Sequence, residues 1–289
     1  MKFYRRSRVM LLMAVLMPAV CAGQNTAAQP DAVAPAISGA AANVINCGTF
    51  ASRDASLDLV SKLCEFALNY RHQLPDFIAR QTTTSHGPRS TVIMTAQVTY
   101  HGGLEHYSQL TVNGKLVAPH ARVPVDVHLL TNGEFGPLLI NLFEVPDAIE
   151  FKLSKTVTLS GAPAVVFDFH LPKKKNTFWA LRAPTGQVIK PEFRGQLWLE
   201  PQTGHLLREE LEPVVNEPET WIASAKLSTD YAMTAISDLG AFLLPVRSES
   251  RMCMGGWQSN IGCTTNIAVF SDYQKFVATS RILPGTSQP

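Results

Sequence analysis

The sequence predicts a mainly β (α+β) fold, a strongly curved antiparallel sheet forming a half-barrel or partial barrel, with one or two amphipathic helices covering the concave face. Three observations predict it. Residues 89 to 282 read as short strands of period-two alternation separated by turn signals. About nine or ten such strands are too many for a flat open sheet, so the sheet must curl. Only two segments carry helical periodicity, and each has an apolar stripe that needs a surface to cover.

The chain begins with Lys2, Arg5, Arg6 and Arg8 before the apolar run Val9 to Val20, with small residues around Ala22. This is the architecture of a secretory signal peptide spanning 1–22, cleaved after Ala22. Its apolar run is shorter than the roughly 20 residues that cross a bilayer, and no later run is long enough, so the mature chain is not expected to be an integral membrane protein. Lipoprotein anchoring at Cys21 is the minor alternative, because Pro18, Ala19 and Val20 match poorly the small residues expected before an acylated Cys. Residues 23–45 are rich in Ala and Pro and too poor in large apolar side chains to offset the entropy of ordering them, so they read as a disordered arm. The remainder, 46–285, is long enough for a single half-barrel domain.

The whole chain carries a net charge of +2, and removing the four signal cations leaves −2. Nucleic acid is therefore excluded as an expected partner, because clustered Lys and Arg dominate such binding. Apart from Cys21, four cysteines remain. In an exported chain an even number points to disulfides, and proximity favours Cys47 with Cys64 and Cys253 with Cys263. A zinc site is the competing reading, but neither pair has the spacing of structural zinc ligands.

A helix is expected from about Asp54 to Tyr70, where Leu57, Val60, Cys64, Ala67 and Leu68 recur at helical spacing and Asp54 can cap it. Pro75 ends that segment. The first strand is expected at Ser90 to Tyr100, where Val92, Met94, Ala96, Val98 and Tyr100 alternate with Thr91, Ile93, Thr95, Gln97 and Thr99. Gly102 and Gly103 turn the chain, 105 to 112 return, and Asn113-Gly114 is a strong hairpin signal. A second helix, about Gly133 to Phe143, carries Phe135, Leu138, Leu139, Leu142 and Phe143. Beyond it, Ile149 to Leu159 and Ala164 to Leu171 form a hairpin about Gly161. Further strands are expected near 177–183, 193–200, 204–213, 223–235, 241–252 and 263–276, with a tight turn at Pro201 to Gly204.

Several segments resemble a known family: YRHQLPDFIARQTT (Tyr70 to Thr83), VTYHGGLEHYSQLTVNGK (Val98 to Lys115), GEFGPLLINLF (Gly133 to Phe143), RGQLWLEPQTGHLLREELE (Arg194 to Glu212), LLPVRSE (Leu243 to Glu249) and YQKF (Tyr273 to Phe276). The chain resembles the outer-membrane lipoprotein carrier (LolA-like) half-barrel superfamily, and within it looks most like exported envelope proteins of acidobacteria-type bacteria. The resemblance implies an open apolar concavity able to accept acyl chains. It departs from the carriers in its length, its N-terminal arm and its four mature cysteines.

No nucleophile elbow, H-E-x-x-H, phosphate loop or C-x-x-C is present, so no enzymatic activity and no cofactor are expected. His101 and His106 could face one another across the Gly102-Gly103 turn with Glu105 and His120 nearby, but spacing assigns no third ligand and no metal is expected. Asp168 and His170 share a strand face without a nucleophile and make no triad. The concave face supplies the candidate ligand-binding residues Met94, Val98, Phe151, Phe167, Phe169, Trp179 and Trp198. Surface-contact candidates are the Lys173, Lys174 and Lys175 tip, suited to anionic headgroups, and Met254 and Trp257 near a hairpin end, which either form a contact or fold back onto the sheet. The expected function is a periplasmic, non-catalytic binding protein for an apolar ligand such as lipid or acyl chains. The alternative is a protein-interaction module of an envelope assembly with a filled core. Candidate partners are accordingly a lipid, an acylated protein or an envelope protein.

Overall fold

The computed structural model describes residues 45–276 except 119–133, 145–147, 178, 183–187, 216–220 and 257–258. The expected signal peptide, nearly all of the arm, Cys21, His120 and Trp257 lie outside the described residues.

Thirteen strands are described: β1 Phe77–His86, β2 Thr91–His101, β3 Leu104–Val112, β4 Lys115–Leu116, β5 Glu150–Leu159, β6 Ala162–Leu171, β7 Leu181–Arg182, β8 Val188–Ile189, β9 Glu192–Leu199, β10 Leu206–Val214, β11 Ile222–Ala235, β12 Ala241–Gly256 and β13 Ser259–Lys275. Eleven of them form one antiparallel sheet in the order β4, β3, β2, β1, β13, β12, β11, β10, β9, β6, β5, and β7 pairs with β8 separately. The two ends of the large sheet, β4 and β5, do not pair with each other, so the sheet is curved but unclosed. The half-barrel expected from the sequence is the fold observed.

Strand β1 corrects the expectation that the first strand begins at Ser90. The helix ends at Gln73, and after three residues the ten from Phe77 to His86 pair with both β2 and β13. Its core-side positions are Phe77, Ala79, Gln81, Thr83 and Ser85, only the first of them large and apolar, so the alternation that marks a half-buried strand is hidden. Likewise, the strand expected near 177–183 shrinks to Leu181 and Arg182. The Asn113-Gly114 turn forms as expected, both residues at positive φ (48° and 76°). The Asn113 side chain also accepts from the Ile93 backbone N–H at 2.9 Å.

The first helical segment is broken into α1 (Gly48–Arg53), a 3-10 turn (Ala55–Leu57) and α2 (Asp58–Gln73). Asp54 does cap, its carboxylate accepting from the Ser56 N–H at 2.8 Å, but it caps the 3-10 turn that feeds α2. Cys47 and Cys64 are bridged, tying the chain just before α1 to the middle of α2, and Cys253 is bridged to Cys263, its direct cross-strand partner. Helix α3 (Pro137–Glu144) is buried on every side from Leu138 to Phe143 rather than along one stripe. Together α1, α2 and α3 pack on the concave face, joining Phe167, Phe169, Leu197, Leu211 and Leu227 of the sheet in the main core. Tight contacts fix two glycines. Gly204, at φ 73°, lets the Pro201 to Gly204 turn press against Lys62 and the Leu59 carbonyl of α2. At Gly195 any Cβ would lie 2.3 Å from the Phe169 ring and 2.1 Å from the Glu210 carbonyl.

Candidate binding interior and outer surfaces

Strands place side chains alternately, so β5, β6 and β9 present Phe151, Phe167, Phe169, Phe193, Leu197 and Leu199 to the helices. Their aromatic rings form a chain. Phe143 of α3 stacks on Phe151 at 5.8 Å, Phe151 meets Phe169 at 6.2 Å, Phe169 meets Trp179 at 6.3 Å, and Trp179 meets Phe193 edge-on at 5.0 Å. Phe50 of α1 closes the other side of the Phe143 and Phe151 pair. Among the sequence candidates, Phe151, Phe167, Phe169 and Trp179 thus come together in one apolar bay, and only Phe151, on edge strand β5, is partly exposed.

The other three candidates are elsewhere. Val98 packs with Phe77, Tyr100 and Phe135 in a second cluster, and Met94 with Val92 in a small third one. Trp198 is a correction. It alternates with Leu197 and Leu199, so the pleat turns it to the opposite face, against Ala164 and Val166, with the Arg208 guanidinium 6.0 Å from its ring.

Next to the apolar bay the concave face turns polar. Glu209 on β10, Thr229 on β11 and Ser248 on β12 are neighbours across three paired strands, and all are buried. The Thr229 and Ser248 hydroxyls lie 3.2 Å apart, and Ser248 donates to the Glu134 carboxylate at 3.5 Å. Tyr231 donates to the Glu134 carbonyl at 3.3 Å. Glu209 is 2% exposed, and no hydrogen bond of good geometry closes on either of its carboxylate oxygens. Burial pushes its pKa from the ordinary 4.5 up to about 8, the nearby Tyr231 hydroxyl opposes the rise, and the Glu134 charge adds to it. This acidic interior escaped the sequence reading, although a signal existed. In Arg208 to Glu212 the period of two puts Glu209 in phase with inward Leu211 and out of phase with outward Arg208, Glu210 and Glu212.

The opposite face holds a groove of about 710 Å³ lined by Lys152, Asp168, His170, Arg194, Gln196 and Glu210 among others. Its groups largely satisfy one another. Gln196 donates to Asp168 at 2.5 Å, Lys226 meets Glu210 at 2.6 Å, and His170 and Arg194 both reach Glu192, at 3.2 Å and 2.9 Å. Asp168 and His170 sit here as members of an ionic surface. His101 and His106 are not directly opposed, because Leu104 and Thr99 are their cross-strand partners. His101 instead pairs with Asp76 at 2.6 Å. Glu105 accepts from Tyr107 and from the Phe135 N–H. Among the described residues no three His, Cys, Asp or Glu gather in a way that holds a metal. Lys173, Lys174 and Lys175 form a 3-10 turn after β6, the first two exposed. Met254 folds back, packing partly buried against Ile222 and Met252.

No family model and no curated protein matches the chain. Among solved structures the chain is similar to a LolA superfamily protein from Nitrosomonas europaea, at 13% identity and TM-score 0.37, covering 77% of this chain and 93% of that one. It is similar also to a DUF1329 family protein from Desulfovibrio piger, at 11% identity and TM-score 0.38 over 77% and 95% of the two chains. The lipoprotein LppX of Mycobacterium tuberculosis matches at 9% identity and TM-score 0.29 over 78% and 100%. Similarity at this level describes a shared outline and says nothing about a ligand. The narrower likeness to acidobacterial envelope proteins gains no support from these matches.

Proposed function

We propose that this is an exported, periplasmic, non-catalytic binding protein for an apolar ligand, such as a lipid or an acyl chain, held between the helical cover and the sheet. One observation carries the reading. The sheet stops short of closing, and its apolar bay is covered by α3, a helix of eight residues whose described side chains are all buried. Withdrawal of so short a helix would uncover a trough of Phe167, Phe169, Phe193, Leu197 and Leu199, an extent of apolar surface that water disfavours and an alkyl chain would occupy. The partly exposed Phe151 marks its open end. Two disulfides fit an oxidising compartment, and among the described residues no helix is long and apolar enough to cross a membrane.

The same α3 favours a second reading, an interaction module with a filled core, since its leucines already occupy the bay. Native mass spectrometry of protein purified from an oxidising compartment, followed by solvent extraction, separates the two. The expected result is a co-purifying acyl species of defined mass whose removal lowers the melting temperature and whose return restores it. A bare polypeptide indifferent to added alkyl ligands would sink the proposal in favour of the interaction module.

A further inference from the structure

The charge of the interior is one-sided. Among the described residues the fully buried polar side chains include two carboxyls, Glu134 and Glu209, and not a single Lys or Arg. Buried carboxylates are ordinarily paired with a cation or well supplied with donors, because leaving a charge unpaired in a low-dielectric interior is costly. Glu134 has Ser248 as a donor, but Glu209 has no well-formed hydrogen bond on either oxygen. Around it the concave face offers the Thr229 and Ser248 hydroxyls in the same cross-strand row, able to accept as well as donate, and beside that row stand Leu197, Leu211 and Leu227 of the main apolar core. A buried acid next to an apolar bay, with the Tyr231 hydroxyl beside it and, among the described residues, no buried Lys or Arg to neutralise it, is what the polar end of an amphiphile's site requires if the amphiphile is a cation.

We propose that Glu209, with Glu134, Thr229 and Ser248 beside it, receives the ammonium group of an amine-headed amphiphile whose alkyl chain lies along the Phe167, Phe169 and Leu197 bay. This deepens the apolar-ligand reading and rests on it. An ammonium has three donors and no acceptor, the complement of two carboxylates and two hydroxyls. An alcohol satisfies one oxygen without supplying the charge, and a fatty acid sets a further acid group against the Glu209 carboxyl in place of a cation. The described residues gather no third ligating group that would make a bare metal ion the better occupant.

Binding has a proton signature. The groups facing Glu209 are Glu134, from the segment before α3, and the Tyr231 hydroxyl on β11, and Tyr231 in turn senses Tyr70 of α2 and Glu105 of β3. With its pKa at about 8, Glu209 is mostly protonated at neutral pH, so an arriving ammonium must displace that proton. Amine binding should therefore tighten as pH rises toward 8.

The test measures affinity of the full mature chain for dodecylamine, dodecanol and dodecanoate, each below its micellar concentration, at pH 6 and pH 8. At pH 8 the amine should bind about tenfold or more tighter than the alcohol and the carboxylate weakest, and the amine alone should gain up to roughly fiftyfold from pH 6 to pH 8 as Glu209 ionises. Glu209→Gln should erase the amine's advantage over the alcohol. If all three bind alike, or the variant keeps the preference, the polar end is wrong while the apolar bay stands. If none binds, the apolar-ligand reading falls and this one with it. Should the variant not fold, the headgroup and pH comparisons on the unaltered chain decide by themselves.

Discussion

At Glu209 the physics of a single carboxyl reaches the stability of the molecule. Its folded pKa, about 8, stands above the ordinary 4.5, so the folded state holds a proton that the unfolded state gives up between those values. The sign follows. This residue costs nothing below about pH 4.5, destabilises increasingly as pH climbs to 8, and its cost is flat above that. Glu209→Gln should abolish the dependence and raise stability at pH 8 by about 2–4 kcal/mol, while changing it little at pH 4.5. Urea denaturation of both proteins at pH 5 and pH 8 checks this, and parallel pH slopes would exonerate Glu209. Gly195 makes the opposite case, where the absence of a side chain is the requirement. Because the Phe169 ring crosses the site of the missing Cβ, Gly195→Ala should cost about 1–3 kcal/mol as an overpacked core, read as a lowered urea midpoint at unchanged slope.

Among the elements, the α1 to α2 hairpin depends on a covalent tie. Six residues of α1 are too few to be helical alone. The Cys47 to Cys64 bridge and the contacts of Phe50 with Phe143 and Phe151 hold it. Replacing both cysteines by Ser should cost about 3 kcal/mol, as expected for a loop of 17 residues, with α1 released before the sheet. Calorimetry together with proteolysis near Gly48 measures both effects. The element scale also shows what the sequence made legible. Hairpins with apolar alternation, such as β5 with β6, were readable because apolar and polar residues alternate along both strands about the Gly161 turn, even though edge strand β5 is itself largely exposed. Both disulfides were readable from proximity. β1 was not, since Gln81, Thr83 and Ser85 on its core side remove the contrast that periodicity detects. The same polar interior hid Glu209, because a Glu in a run of charged residues looks solvated until its phase with Leu211 is considered. Trp198 is in phase with Arg194 and Gln196, which belong to the outer face, and so does it.

For the whole molecule, the sheet is longest and most fully paired at its centre. β11, β12 and β13 run 14, 16 and 17 residues, whereas the edge strand β4 has two. Amide exchange should be slowest in β12 and β13 and fastest along β4 and the outward side of β5, which lack an outer neighbour. Uniform protection across all eleven strands, seen by mass spectrometry, would contradict this gradient. That order has a further consequence. β13 is the last described strand of the chain, yet it lies between β1 and β12. A ribosome delivers the N-terminal strands first, so β1 to β4 and β5 to β12 must wait as two separate fragments, each with a raw hydrogen-bonding edge, until the final segment is slotted between them. This last described strand is the keystone of the arch, and any event that truncates synthesis before Ser259 yields two halves rather than a shortened whole.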